Sequence, residues 1–534
     1  MQCNQQNLFS LKHSRISAVL FCCVLFLTAC DEKKEPLTTP PKEGQIQTEP
    51  ARDGKLLRRA LYSALTLHSP EIKNSDQMHI LRDLSEGLVM LDRAGNAVPA
   101  VAEQWQSDDF KSWIFVFRFD LKWSNGEKLS AHDFVRSWQQ LALSDNPLKQ
   151  YLAFLNLENA QAVLEQSVPV ERLGVSALDD RTLSIRLDKA VPYLPQMLAH
   201  VALLPQYLSP QRNTNQTPQF IGNGAYRLRQ QQADLFMLEK NPFYWNPTQA
   251  AFEQVSYQQI KPNQSVDKLD WVDNPPFKNE RVMYFPRLCT YFYEFNFKDP
   301  LLKQNAVRSA LASMISVPDI VRNDKSMLPN SVNFLPQNMQ FEQEREWQPT
   351  LVEQLLLQNG VTETNPLQLT LSYDNQGVHP LIADWLIRAW SQSDLIRIKP
   401  EALSYKQLLE KRAAGDFQLI RSGWCADYND PSAFLNLLYS MSPDNKSAFS
   451  HENIDKLLEQ TLSPEISAQE RTALYQQVTL LVQQEKAVLP IFQYMKPVYV
   501  HDSLAGYDMN NPTEVIYSKD LFRQPQTKPT DTAQ

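Results

Sequence analysis

Residues 421–431 read RSGWCADYNDP and place one carboxylate, that of Asp427, among aromatic side chains and close to Arg421 and Cys425. A strand that ends in such a turn offers its charged groups to a ligand as well as to water. An acid ahead of Asn and Pro is also ordinary turn chemistry, and Trp424 fits a place in the core equally well. The stretch therefore predicts a strand followed by a turn. The turn either forms part of a binding site or is an ordinary loop whose polar groups are bonded within the protein.

A second stretch is the partner segment of the first. Residues 286–297 read PRLCTYFYEFNF, an aromatic run that predicts a β-strand and contains Cys289. The patterns C-x-x-C and H-E-x-x-H and closely spaced His/Cys sets do not occur in the sequence. We therefore expect no metal site.

The composition is that of a globular protein. A length of 534 residues allows two or three hydrophobic cores, and 43% of the residues are hydrophobic and 10% aromatic. The formal net charge is −8, and loss of Lys12 and Arg15 with a leader would make it −10. Nucleic-acid binding needs a basic face, so we expect no nucleic-acid partner. The basic cluster at 55–59 is predicted to be a solvated start to the fold.

Short strands and amphipathic helices are mixed along the chain, which predicts an α/β fold. The predicted strands include 113–119 and 182–187, and the predicted helices are 131–143, 304–314, 381–390 and 468–484. The segment that ends near residue 53 is polar and contains prolines, with little to bury, and is predicted to be a flexible tether. The last residues are polar as well, and we expect a frayed tail.

The N-terminus has the shape of a secretory leader. Two basic residues, Lys12 and Arg15, precede twelve mostly apolar residues, 16–27, which are too few to span a bilayer comfortably. The sequence LTAC at 27–30 matches the bacterial lipobox, in which the cysteine thiol carries lipid such as palmitate. We expect Cys30 to be acylated, because two or three acyl chains anchor a protein stably. A plain leader with an accidental cysteine is the alternative.

Seven further motifs resemble the oligopeptide-binding proteins of bacterial ABC importers, a family of large extracytoplasmic solute-binding proteins (family 5). The motifs are LSEGLV at 84–89, VAEQW at 101–105, KWSNG at 122–126, AHDFVRSW at 131–138, NGAY at 223–226, NPFYW at 241–245 and VRSAL at 307–311. The similarity runs from about residue 81 to residue 521. Together these motifs are highly specific.

The resemblance implies a two-lobed periplasmic-binding-protein fold, of the type II or cluster C kind, with an extra inserted domain. The implied parts are a signal peptide at 1–29, the lipidated cysteine and tether at 30–54, lobe I at 55–75, 200–288 and 499–523, inserted domain II at 76–199, lobe III at 289–498 and a tail at 524–534. Two strands that cross between the lobes form the hinge in this family. The counterparts of Cys289 and Cys425 form a disulfide.

The resemblance also implies a peptide site. The family's counterpart of Asp427 receives the α-amino group of the peptide. Two arginines and a histidine of the family meet the carboxylate at different depths, and their positions match Arg421, Arg412 and His379. However, a single arginine is more often a surface charge than a ligand-binding group. A lone histidine is likewise more often a loop residue that is hydrogen-bonded within the protein. A further alternative is that Arg421 pairs with Asp427 and pre-organises the empty site.

Other residues are expected to line the cleft. Gly423 would let a peptide strand approach the backbone closely. Trp424 resembles a tryptophan that lines the family's pocket, and Tyr405 stands where the best-known members carry a tryptophan. Residues 73–75 read KNS where typical members have EGV, so Ser75 is expected near the ligand. The segment 260–288 is shorter than in typical members by about one helix, which predicts a wider or differently closed pocket.

These features predict a monomeric, non-catalytic receptor without a cofactor, anchored by lipid on the periplasmic side of the inner membrane. It would bind short peptides and deliver them to an ABC permease. A narrower receptor for murein peptide or haem is an alternative within the same fold. A hydrolase would need a motif such as G-x-S-x-G, a zinc helix or a phosphate loop, which the sequence lacks. A chaperone or structural lipoprotein with an empty cleft is the remaining alternative.

Overall fold

The structure is a computed structural model that describes residues 53–67, 75–208, 220–316, 318–330, 332–341 and 352–524, with only the backbone of Ser75. The predicted leader, the lipid site at Cys30, nearly all of the tether, residues 73–74 and the tail from residue 525 lie outside the described residues. By its internal contacts the chain divides into two units, Met1–Gly54 and Lys55–Gln534. The described helices and strands belong to the second unit.

The helices and strands mix along the whole unit, as the α/β prediction requires. The helices are α1 Ser75–Leu84, α2 Ala131–Leu143, α3 Gln150–Phe154, α4 Ala160–Leu164, α5 Leu194–Met197, α6 Asn305–Ser313, α7 Asp319–Asn323, α8 Val352–Gln358, α9 His379–Trp390, α10 Tyr405–Ala414, α11 Ser432–Leu435, α12 Glu452–Gln460 and α13 Ala468–Gln484. The strands are β1 Leu56–Leu61, β2 Val89–Leu91, β3 Ala97–Pro99, β4 Ala102–Gln106, β5 Ser112–Phe117, β6 Val175–Ala177, β7 Thr182–Arg186, β8 Tyr226–Gln231, β9 Leu235–Lys240, β10 Gln254–Gln259, β11 Trp271–Asp273, β12 Val282–Phe295, β13 Met327–Pro329, β14 Leu367–Asp374, β15 Ile396–Leu403, β16 Leu419–Cys425, β17 Val488–Val500, β18 Leu504–Ala505 and β19 Phe522–Arg523. None of the described helices has the length and apolarity that crossing a bilayer requires.

One sheet runs through the unit. In the described part of the chain it has eleven strands in the order β15-β14-β16-β12-β17-β11-β1-β10-β9-β8, and β13 pairs with β17 beside this path. A separate sheet, β4-β5-β7-β6, lies within residues 102–186 and packs with α2. Helix α2 begins at a capping box made by Ser130 and Asp133, which satisfies backbone N–H groups that the first turn leaves without partners.

The two longest strands, β12 and β17, pass from one half of the large sheet to the other. At one end β17 pairs with β11 and with residues 282–286 of β12. At the other end β12 pairs with β16, and residues 488–493 of β17 pair with residues 290–294 of β12. The register shifts between Pro286 and Thr290 and again between Tyr291 and Phe292. Such irregularities bend a strand pair, so the two halves of the sheet meet at a natural bending point.

Separate hydrophobic clusters lie on the two sides of this crossing. One cluster, which includes Leu57, Tyr226 and Trp271, packs around β1, β8 and β11. A second packs α9 against β14 and β16. A third fills residues 88–203 and continues into residues 428–488. The first two clusters and the crossing strands agree with the implied two-lobed arrangement, while the individual domain boundaries stay predictions.

The structure corrects the prediction that the basic cluster at 55–59 is solvated. Arg59 lies in β1, between β10 and β11, and is fully buried. Its guanidinium donates hydrogen bonds to the backbone oxygen of Ile516 at 3.0 Å and to Ser518 Oγ at 3.1 Å. The prediction of a solvated segment was wrong for this residue because its strand is central in the sheet.

Candidate ligand-binding site

The candidate site lies where three parallel strands end. β14 pairs in parallel with both β15 and β16, so their carboxyl ends point to the same edge. Helix α9 follows β14 and begins at His379, and helix α10 follows β15 and begins at Tyr405. In α/β sheets, ligands bind at the carboxyl ends of parallel strands. The topology thus brings His379, Tyr405 and the end of β16 to the edge where a ligand is expected.

The end of β16 presents alternate residues to one open face. Successive side chains of a strand point to opposite faces, so Arg421, Gly423 and Cys425 share a face. Gly423 and Cys425 are exposed, whereas Ser422 on the other face is buried. A Cβ atom on Gly423 would lie 3.5 Å from the backbone oxygen of Thr290, an ordinary contact. The fold itself therefore does not require glycine here, and the absence of a side chain leaves the backbone open to close approach.

One edge of β16 is also open. Its pairing with β14 covers only Leu419 and Ile420, whereas its pairing with β12 continues to Cys425. The backbone oxygen of Gln418 and the N–H of Ala426 both bond towards β12. Peptide groups alternate along a strand, so those of residues 421, 423 and 425 point away from β12, and the parallel pairing of Ser372 with Ile420 uses the N–H of Arg421 for β14. No described strand pairs with β16 at residues 423 and 425, which leaves their backbone donors and acceptors for an added strand.

Asp427 lies just beyond the end of β16, in a turn that packs against residues 76–199. Tyr428 stacks on Tyr193 with ring centroids 5.0 Å apart, and Asn429 donates a hydrogen bond to the backbone oxygen of Gly95. The Asp427 side chain is open to solvent, yet the protein around it restricts its hydration and raises the pKa of its carboxyl. Burial raises the pKa of Tyr151, and the negative charge of Asp427 raises it further. The carboxylate is thus exposed at the end of β16, in a turn held by contacts with residues 76–199.

Arg421 and His379 form one cluster with Asp374, the last residue of β14. His379 Nδ1 lies 2.8 Å from Asp374 Oδ2, and His379 Nε2 lies 2.7 Å from Arg421 Nη2. Arg421 Nε lies 3.4 Å from Asp374 Oδ1, and its guanidinium lies over the ring of Tyr291 at 5.2 Å. Burial lowers the pKa of His379, and the nearby arginine lowers it further, although the bond to Asp374 opposes this. The ion pair of Arg421 is thus with Asp374, so the suggested pairing with Asp427 was wrong.

Arg412 lies apart from this cluster, near the end of α10. Its Nε donates a hydrogen bond to Glu294 Oε1 at 2.5 Å, and its Nη2 donates to the backbone oxygen of Asp444 at 3.2 Å. Glu294 belongs to β12 and is buried. The predicted second cation of the site is therefore already held by a carboxylate.

The remaining predicted residues are placed less centrally. Trp424 leaves the opposite face of β16 from Gly423, packs against the third hydrophobic cluster and donates its indole N–H to the backbone oxygen of Ala433 at 2.8 Å. Tyr405 is half-buried at the start of α10. Ser75 begins α1, but its side chain lies outside the described residues. None of these positions tests a role in binding.

The two cysteines meet across the β12–β16 pair. Cys289 lies directly opposite Cys425 in the register, and their sulfur atoms are 2.11 Å apart. Cys425 is exposed on the same face as Gly423, whereas Cys289 is buried. Within the described ranges, no three His, Cys, Asp or Glu side chains are grouped so that they could hold a metal ion.

Sequence reasoning missed Asp374 and Glu294, the two acids that hold the predicted cations. A signal was present for Glu294, because it is the one charged side chain between Leu288 and Phe297 in an otherwise apolar and aromatic strand. A charged residue that is buried in a strand almost always has a partner.

The fold and the site define a two-lobed extracellular binding protein. The chain belongs to the family described as "Bacterial extracellular solute-binding proteins, family 5 Middle", which matches residues 96–446. This confirms the family predicted from the motifs.

Three comparisons support this assignment. A "Putative binding protein" of Haemophilus influenzae is 48% identical, over 98% of this chain and 100% of that protein. The periplasmic oligopeptide-binding protein OppA of Salmonella typhimurium is 31% identical, over 86% of this chain and 90% of that protein. The unliganded open form of the periplasmic murein tripeptide-binding protein MppA superposes with a TM-score of 0.80 at 28% identity, over 89% of this chain and 99% of that chain. All three are binding proteins by name.

Proposed function

We propose that this chain is a periplasmic receptor that encloses short peptides between two lobes and delivers them to an ABC permease of the inner membrane. The observation that carries the proposal is the open edge of β16 at residues 423–425, with Asp427 directly beyond its end. An extended peptide adds to such an edge through backbone hydrogen bonds, which makes recognition tolerant of side chains. The relative OppA, named for binding oligopeptides, supports this ligand class.

The charge of Asp427 gives the bound peptide a direction. The α-amino group would lie at Asp427, and the chain would run back along β16 towards Arg421, antiparallel to the strand. Six residues of strand span at most about 20 Å, and an extended peptide covers about 3.3 Å per residue. The side chains at both ends reach inwards, so this length suits peptides of a few residues.

Closure of the lobes would complete the site. The register shifts of β12 and β17 lie beside Cys289, next to the ligand edge of β16. A hinge there lets two rigid halves close on a ligand, which removes the ligand from water. The high TM-score with an unliganded open form supports the open state as the starting point of this movement.

Native mass spectrometry of protein purified without refolding tests the ligand class. We expect a series of peptide masses that disappears on denaturation. One defined mass of a murein peptide or of haem would favour the narrower receptor, for which the likeness to MppA is the supporting observation. Protein that carries nothing and binds no peptide in subsequent calorimetry would contradict the proposal and favour a chaperone or structural role.

Membrane attachment should depend on Cys30. We expect the mature protein to begin at an acylated Cys30 and to partition into the detergent phase, because two or three acyl chains hold a protein at a membrane. The Cys30→Ser variant should remain in the aqueous phase. Equal membrane retention of the two proteins would contradict the lipid anchor.

Cys289 and Cys425 should be oxidised to each other in protein from the periplasm. They face each other across β12 and β16, and an oxidising compartment favours the bond. Peptide mapping without reductant should yield one cross-linked pair that separates after reduction. Recovery of both cysteines as free thiols would show the prediction to be wrong.

A further inference from the structure

The cations expected to meet a ligand carboxylate already face buried carboxylates. Arg421 Nε lies 3.4 Å from Asp374, whose side chain is 0% exposed. Arg412 Nε lies 2.5 Å from Glu294, whose side chain is 5% exposed. Acids so deeply buried cannot turn to water if a ligand displaces them, since an unpaired buried charge is strongly unfavourable. Each arginine is therefore committed to its acid.

The histidine of the cluster adds no positive charge. A guanidinium can only donate hydrogen bonds, so His379 Nε2 accepts from Arg421 and must be unprotonated. The ring proton is then on Nδ1 and is donated to Asp374. Burial and the adjacent guanidinium both lower the pKa of His379, which fits the neutral ring.

The cluster of Arg421, His379 and Asp374 thus has no net charge. The Arg412–Glu294 pair is neutral as well, but it lies on the opposite face of the β12–β16 pair, because Glu294 follows Tyr293, which is directly opposite Arg421. A ligand carboxylate that enters the cluster loses hydration and meets no excess positive charge. An uncharged amide loses far less hydration free energy, and its oxygen can still accept hydrogen bonds from guanidinium N–H groups that the acid does not use. The ammonium end differs, because Asp427 supplies a negative charge in a solvent-exposed position.

We infer that this end of the cleft takes an uncharged amide of the peptide in preference to a terminal carboxylate, and that Asp374 sets this preference. The inference rests on the proposed peptide-receptor function and adds the class of ligand. Two kinds of peptide present such a group: short peptides with a blocked C-terminus, and longer peptides whose chain continues past the arginines.

Calorimetry with alanine peptides of three, four and five residues, each as free acid and as C-terminal amide, tests the inference on wild-type protein. We expect the amide to bind more tightly than the acid, by about threefold or more, at the length that binds best. Equal binding or a preference for the acid would overturn the inference and leave the receptor function standing. Failure of every peptide to bind would overturn both.

The variant Asp374→Asn tests the cause, because it keeps the shape of the side chain and releases Arg421. It should raise the acid-over-amide affinity ratio about tenfold, since the arginine then lacks its own carboxylate. Asp384→Asn is the matched control, because Asp384 lies on α9 with its side chain 54% exposed and pairs with Arg388. Circular dichroism confirms that each variant is folded. A folded Asp374→Asn variant with an unchanged ratio would overturn the assignment of the preference to this acid.

The affinity of an octa-alanine acid shows which of these two kinds of peptide the site favours. Binding tighter than that of the short amides indicates chains that continue past the arginines, and weaker binding indicates blocked C-termini. Either result agrees with an uncharged amide at this position.

Discussion

Replacing Asp427 by alanine should weaken the binding of a short peptide by two to four decades. In the closed complex the α-amino group of the peptide would be removed from water and would face this carboxylate. Loss of one member of a buried ion pair costs about 3–5 kcal/mol, because the other charge remains without a partner. Asp427→Asn should lose nearly as much, since the amide keeps the shape but not the charge. Titration calorimetry measures both.

Acetylation of the peptide's amino group supplies the second half of this test. The acetylated peptide should bind wild-type protein much more weakly, but should bind Asp427→Ala nearly as well as the free peptide does. Asp416→Ala is the matched control, because Asp416 lies before the other end of β16 with its side chain 85% exposed. Indifference of binding to both Asp427→Ala and acetylation would remove the basis for a peptide receptor.

Local patterns in the sequence predicted the elements of this fold well. Helices 131–143 and 468–484 were predicted from their amphipathic pattern with the bounds that the structure has, and each begins at a capping box, at Ser130 and Ser467. The helix predicted at 381–390 begins two residues earlier, at His379. The proline at position 380 suits the first turn of a helix, where its missing N–H has no partner to lose.

Strand ends were less predictable than helix ends. The strand predicted at 113–119 occupies Ser112–Phe117, and that predicted at 182–187 ends at Arg186. Phe119 is an aromatic residue of strand-forming type, but it is 73% exposed and precedes Asp120, whose φ is positive. Residue type alone does not reveal where a chain turns away from its sheet.

The site was predicted in part because resemblance can locate a residue but cannot describe its neighbours. The positions of Asp427, Gly423 and Arg421 at the end of one strand agree with the expectation from the motifs. The pairing of Arg421 with Asp374 joins residues 47 apart in the chain, and Arg412 with Glu294 joins residues 118 apart. No local pattern connects such residues, because the sheet order β14-β16-β12 brings them together. The electrostatics of the site therefore had to come from the fold.

Lys496→Met should destabilise the folded protein by about 3–5 kcal/mol, because it would leave buried acids without their shared cation. Lys496 Nζ lies 2.8 Å from Asp76, 3.0 Å from Asp273 and 3.5 Å from Glu514. The lysine is 3% exposed, and these acids raise its pKa against the effect of burial. Methionine fills a similar volume, so the loss measures mainly the charge. Urea denaturation followed by circular dichroism should show a clearly lower midpoint.

The pH dependence separates this charge effect from a packing defect. Burial raises the pKa of Asp273 even with Lys496 present, and removal of the lysine should raise it further. The stability difference should therefore be largest at neutral pH, where the acids are ionised, and should shrink as the pH falls and they take up protons. Lys456→Met is the control, because Lys456 is 68% exposed and pairs with Glu452 at the surface, so its loss should cost less than about 1 kcal/mol. A packing defect would instead give the same loss at every pH. Since Lys496 pairs in the sheet with Phe285, just before the first register shift, a weakened cluster should also loosen the point where the two halves of the sheet meet.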